Sequence, residues 1–160
     1  MTEAPTKVPS TGTIDALLPP DMALACEAAG VAKAGRDAST LVILGVLAGA
    51  FIAFGAAFMT VISTGAGEIP WGAARLLAGV SFSLGLILVI VCGAELFTGD
   101  ALMIVAFASQ RITLGALLRA WSLVYAGNIA GAFGTAALVF LAGQHGFGGG
   151  AVGKTALTIA

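Results

Sequence analysis

Four stretches without a single Asp, Glu, Lys or Arg decide what this chain can fold into. They separate Asp37 from Glu68 (30 residues), Arg75 from Glu95 (19), Asp100 from Arg111 (10) and Arg119 from Lys154 (34). About 20 apolar residues in a helix cross the ~30 Å hydrocarbon core of a bilayer. The first, second and fourth stretches reach that length, and the third is about half of it. Between the second and third lies Val91-Cys92-Gly93-Ala94-Glu95-Leu96-Phe97-Thr98-Gly99-Asp100, polar and punctuated by glycine. One unbroken helix from Leu76 to Gln110 would be roughly 50 Å long at 1.5 Å per residue, so this segment must break. Irregular backbone is tolerated at membrane depth only where it is buried in protein or lines a water-filled cavity, because its N–H and C=O groups need partners. A glycine-interrupted apolar segment therefore points to a permeation or binding site.

With 59% hydrophobic and 9% charged residues in 160, and a mean hydropathy of +1.05, the chain is expected to be an all-α integral membrane protein with the bilayer as its solvent. Seven scattered basic residues form no stripe for nucleic acid. Cys26 and Cys92 have no metal spacing and are read as unpaired thiols, and neither a metal nor a cofactor is expected. Residues 1–20, rich in Pro, Thr and Ser, read as a flexible leader. Residues 21–36 read as a short helix opened by Asp21 as a capping residue, with Leu24, Ala28 and Val31 on one face. That helix is either interfacial or a plain connector.

The transmembrane region, 38–160, divides into spans at about 39–63, 73–94 with a half-helix at 100–110, and 114–142. Gly45 with Gly49, and Gly127 with Gly131, form G-x-x-x-G steps, the second flanking Asn128. Such small-residue faces let helices approach closely, although they also occur as ordinary span filler. Trp71, in the turn at 63–72, suits the headgroup level. Lys7, Lys33 and Arg36 precede the first span and Arg111 and Arg119 precede the charge-free part of the third, 120–141, against Arg75 alone on the other side. By the positive-inside rule the N-terminus is cytoplasmic, which makes 142–150 and its His145 an external loop.

Chemistry concentrates at the break. Glu95 and Asp100 are the carboxylates at membrane depth, where an ionisable group is costly and is a functional candidate by default. Asp100, or Thr98 before it, is placed to cap the half-helix from Ala101 to Ser109, whose N-terminal N–H groups would otherwise face a pore or an anion. Glu95 is read as tying down loop backbone, since a carboxylate exposed in a pore would repel anions. Leu96, Phe97 and Thr98 combine bulk with one hydroxyl, as a hydrophobic constriction with a single polar contact requires.

Ser81-Phe82-Ser83-Leu84-Gly85-Leu86-Ile87-Leu88, then Cys92 to Gly99, Arg111-Ile112-Thr113, Trp121 and Val124-Tyr125-Ala126-Gly127-Asn128 resemble the formate/nitrite transporter family. Pro20-Asp21-Met22 and Ala29-Gly30-Val31 look like its N-terminal helix, so the resemblance runs from about Leu17. It implies an aquaporin-like helical bundle in which this chain forms the first of two inverted repeats, three spans with the second broken by a loop. It further implies a homopentamer in the plasma (bacterial inner) membrane, each protomer with a pore for small monovalent anions such as formate or nitrite. By position, Leu96 matches the cytoplasmic-side constriction and Phe82 the periplasmic-side one. Thr98 matches the hydroxyl facing the central histidine, and Phe97 shares its loop. Gly99 fits the pattern, whereas Asp100 adds a charge where an uncharged polar residue is common. The central histidine belongs to a second repeat expected beyond Ala160, and His145 matches nothing of its motif. Two further readings stay open: a non-transporting membrane fragment or assembly subunit, and a neutral-solute channel. The second lacks an Asn-Pro-Ala loop.

Overall fold

The structure, a computed structural model, describes residues 17–160, so the leader read for 1–20 lies outside it as far as residue 16, Lys7 included. The order is α1 (Pro19–Ala34), α2 (Ala38–Ser63), α3 (Trp71–Val91), the short α4 (Phe97–Asp100) and α5 (Met103–Ala108), α6 (Leu114–Leu141) and α7 (Ala151–Ile159). Helices α2, α3 and α6 are long and apolar enough to cross a membrane, and the chain is a multi-pass membrane protein. Most of their surface points outward. Leu76, Val80, Ile90, Val91, Phe133 and Leu138 are each more than 60% exposed, a surface that water would penalise and hydrocarbon would not.

Each boundary has a local cause. Helix α1 starts two residues before the expected position, because Pro19 and Pro20 occupy the first turn, where a missing N–H leaves nothing unsatisfied. Asp21 is consequently not the cap. Leu18 holds that position without a side-chain bond, and Asp21 lies in the first turn. Asp37 caps α2, accepting from the Thr40 N–H at 2.9 Å and from the Ser39 and Thr40 hydroxyls. These bonds, Ser39's first, hold its carboxyl well below the usual carboxylate range. Thr113 caps α6 by accepting from the Ala116 N–H at 3.2 Å. Gly93, at φ +63°, ends α3: the chain turns left-handed there and the Ala94 N–H returns to the Val89 carbonyl at 3.0 Å.

Helix α2 is the hub. It meets α6 along the two glycine steps, backbone against backbone. A Cβ added at Gly49 would stand 2.1 Å from the Asn128 carbonyl oxygen, and one at Gly131 would stand 2.0 Å from that of Val46. At Gly45 and Gly127 the corresponding approaches are 3.0 Å to the Val124 oxygen and 2.8 Å to the Val42 oxygen. Helix α3 crosses α2 where Gly55 meets the Phe82 carbonyl and Gly85 meets that of Phe51. Near the start of α2, Leu41, Met103, Leu117, Ala120 and Val124 form the buried core.

Helix α1 packs on α5, and Val31 is half-buried. Leu24 and Ala28 are exposed, and the contact is made at Gly30, which is buried against Met103 and Ala106. A side chain at residue 30 would start 2.8 Å from the Ala106 Cβ, so glycine sets which face can approach a helix this short. The stretch 142–150 is more structured than a loop: Gln144–Gly146 makes a 3-10 turn, and the His145 ring stacks on Phe140 at 4.6 Å. Helix α7 then folds back toward the far end of α2, leaving a largely apolar cavity of about 520 Å³ among α2, α6 and α7.

Candidate functional site

The break between α3 and α5 is held by partners on three other helices. After Gly93 the chain passes through Glu95 and the extended Leu96 before α4 starts at Phe97. The Glu95 N–H donates to the Leu44 carbonyl of α2 at 3.2 Å. Asn128 of α6 supplies most of the remaining satisfaction. Its amide nitrogen donates to the Glu95 carbonyl at 2.9 Å and the Gly45 carbonyl at 2.8 Å, and its oxygen accepts from the Phe97 N–H at 2.9 Å. One carboxamide thus bonds the backbone on both sides of Leu96. Trp121, also on α6, donates from its indole N–H to the Asp100 carbonyl at 2.9 Å.

The Phe97 ring stands edge-on to Trp121 and Tyr125, with centroids 6.0 Å and 5.2 Å away. It is half-buried beside the core; Leu96 is also half-buried, while Thr98 and Gly99 are exposed. Phe82 lies on α3, about three helical turns before the break, and is 37% exposed.

Both carboxylates are buried and paired with cations in or just after α1. Asp100 is not a cap. It is the last residue of α4, fully buried, and its Oδ1 lies 2.5 Å from Lys33 Nζ; Leu96 takes the capping position without a side-chain bond, and Thr98 falls inside the helix. The half-helix starts at Phe97, ahead of the expected 100–110, and Asn128 accepts the Phe97 N–H that a capping side chain would otherwise serve. Glu95 ties the loop down through its backbone, while its carboxylate reaches α1: Lys33 Nζ lies 2.5 Å from Oε2, and Arg36 pairs with Oε1. Asp100 Oδ2 is buried without a hydrogen-bond partner among the described residues.

Lys33, on α1 outside the spans, keeps its ammonium above the ordinary lysine value. Burial pulls it down, but the bonds to Asp100 and Glu95 outweigh that pull. Other ties reinforce the same end of the molecule. Arg119 donates to the Arg36 carbonyl at 3.1 Å, and Arg111 pairs with Glu27 at 3.0 Å.

In the sequence Lys33 and Arg36 bear only on orientation, and Asn128 only on helix packing and the family motif. A usable signal was present in each case. Two carboxylates five positions apart at membrane depth require cations, and an intramembrane carboxamide requires partners for its donors and acceptor. Gly45, Gly49, Gly127 and Gly131 lie on the α2–α6 contact that brings Asn128 to the loop.

The family described as formate/nitrite transporter matches residues 20–160. Among curated proteins, the formate channel FocA of Escherichia coli K12 is 46% identical over 131 residues, covering 82% of this chain and 46% of that protein. FocA of Haemophilus influenzae is 38% identical over 128 residues, covering 80% and 45%. Among solved structures, a pentameric formate channel with formate bound superposes with a TM-score of 0.72 at 40% identity, covering 76% of this chain and 48% of the other. The chain therefore spans about half the length of the curated relatives it matches.

Proposed function

Because this chain belongs to the formate/nitrite transporter family, we propose that it forms one half of a pore for small monovalent anions, formate foremost, in a homopentamer. The relatives named above are formate channels, and the solved neighbour is a pentamer with formate bound. The observation that carries the reading is the pinned loop. Leu96 and Thr98 are presented by a backbone fixed from both sides by Asn128, with Thr98 on the open surface and Leu96 partly covered. An apolar constriction followed at once by a hydroxyl suits an anion that must shed water and then find a donor. Desolvation without such a contact is expensive.

In this reading Phe82 and Leu96 are the two constrictions, Phe97 anchors the loop in the aromatic cluster with Trp121 and Tyr125, and Thr98 is the polar contact. Gly99 leaves the Thr98 side uncrowded, with nothing within 4 Å of where its Cβ would stand. The N-terminus faces the cytoplasm. Lys33, Arg36, Arg111 and Arg119 gather at the loop end of the bundle through their bonds to Glu95, Glu27 and the Arg36 carbonyl, which supports that orientation.

Flux into liposomes of formate, nitrite and hydrosulfide, measured with the longest reading frame containing this chain, tests the proposal. Thr98→Val keeps volume and branching but removes the hydroxyl. Its formate flux should fall roughly 5- to 150-fold, the kinetic equivalent of leaving one polar group unpaired as the anion passes, while Thr98→Ser stays close to the parent. No anion flux in the parent, or equal flux in parent and Thr98→Val at equal reconstituted amounts, would overturn the reading.

A further inference from the structure

The loop residues given roles in the pore, Leu96, Phe97 and Thr98, lie between two carboxylates that share a single ammonium. Lys33 Nζ is 2.5 Å from Glu95 on one side of them and 2.5 Å from Asp100 on the other. We propose that Lys33 is a positioning residue for permeation: it staples the two ends of the Leu96–Thr98 turn together from α1 and so sets the width of the opening that Leu96 presents. The proposal rests on the anion-pore reading above.

Three observations support it. The acceptor side chains are only 3% and 1% exposed, against 25% for Lys33, so this is not a solvated surface pair whose two ends drift freely. Arg36 reaches Glu95 alone, which leaves Lys33 as the one side chain that bonds Asp100 among the described residues. The other restraints on the turn differ in kind. Asn128 and Trp121 hold backbone groups from α6, whereas Lys33 bonds the side chains of both Glu95 and Asp100. Helix α1 is itself fixed at Gly30 against α5, so the staple pulls on an anchored point.

Removing Lys33 alone leaves Asp100 buried and uncompensated, a change that itself endangers folding. The test therefore compares Lys33→Met, Lys33→Arg and the double variant Lys33→Met/Asp100→Asn, in which the orphaned charge is also removed. All are made in the longest reading frame and reconstituted in liposomes. The readout is the ratio of formate flux to that of the bulkier lactate, together with pentamer yield and thermal stability in detergent. We expect the ratio to fall by about threefold or more in the double variant, since a loosened constriction admits bulk, with assembly retained. Lys33→Arg, which keeps charge and reach, should preserve the ratio.

An assembled double variant with the parent's ratio would overturn the proposal. So would a fall in stability and total flux at an unchanged ratio, which would make Lys33 structural only. Failure of every Lys33 variant to assemble would make it a folding residue and overturn the assignment equally. A parent that carries no anion at all would instead remove the pore reading, which separates the two failures.

Discussion

Asn128 shows how much of a break in a membrane helix one side chain can carry. An amide has two donors and an acceptor with two lone pairs, and here both kinds are spent on backbone: the carbonyls of Gly45 and Glu95 and the N–H of Phe97. In a bilayer those three groups would otherwise have no water to turn to. Asn128→Leu, which keeps the volume but offers no bond, is expected to destabilise the protein by at least about 2 kcal/mol, each buried group left without a partner costing about 1–3 kcal/mol. Thermal unfolding in detergent measures this, and an unchanged midpoint would show that water serves the loop in its place. The importance of residue 128 could be read from the chain as a polar side chain in a span. Its partners could not, because the three backbone groups lie 31 to 83 positions away in sequence. The same distance hid the Lys33–Glu95 pair, whose members are 62 residues apart.

Among the elements, the spans and the break were legible because charge-free runs and left-handed glycines act locally. From the chain alone the first span falls at 39–63 and the third at 114–142, and the helices run Ala38–Ser63 and Leu114–Leu141. What was not legible was decided by another element. The inward face of α1 is chosen by the room that Gly30 leaves for Ala106, not by where its leucine points. Likewise the start of the half-helix is decided by Asn128 on α6. The α2–α6 contact depends on glycine in the same direct way. With the Val46 carbonyl 2.0 Å from any Cβ at position 131, the helices must separate to admit a side chain. Gly131→Leu should cost about 1–3 kcal/mol or more, the range for overpacking a tight core, and should carry Asn128 away from the loop as well. Reduced thermal stability together with lost formate flux is the expected result, and parental values for both would place this face against lipid.

At the scale of the whole molecule, the outward apolar surface of α3 and α6 must be covered by lipid or by other copies. Light scattering on the longest reading frame in mild detergent should give five copies, as in the solved neighbour; a monodisperse monomer that still conducts would separate pore from assembly. The bundle also holds Glu95 and Asp100 beside the turn assigned to an anion path, an arrangement that looks self-defeating. One bare carboxylate 8 Å from a passing anion would oppose it by about 2 kcal/mol at an effective dielectric of 20. Glu95 and Asp100 are matched by Lys33 and Arg36, two negatives against two positives, so the monopole of the group vanishes. Only dipolar and higher fields remain, and these fade with distance faster than a single charge does. The fold can thus use carboxylates as mechanical anchors while keeping them electrostatically almost invisible to the ion.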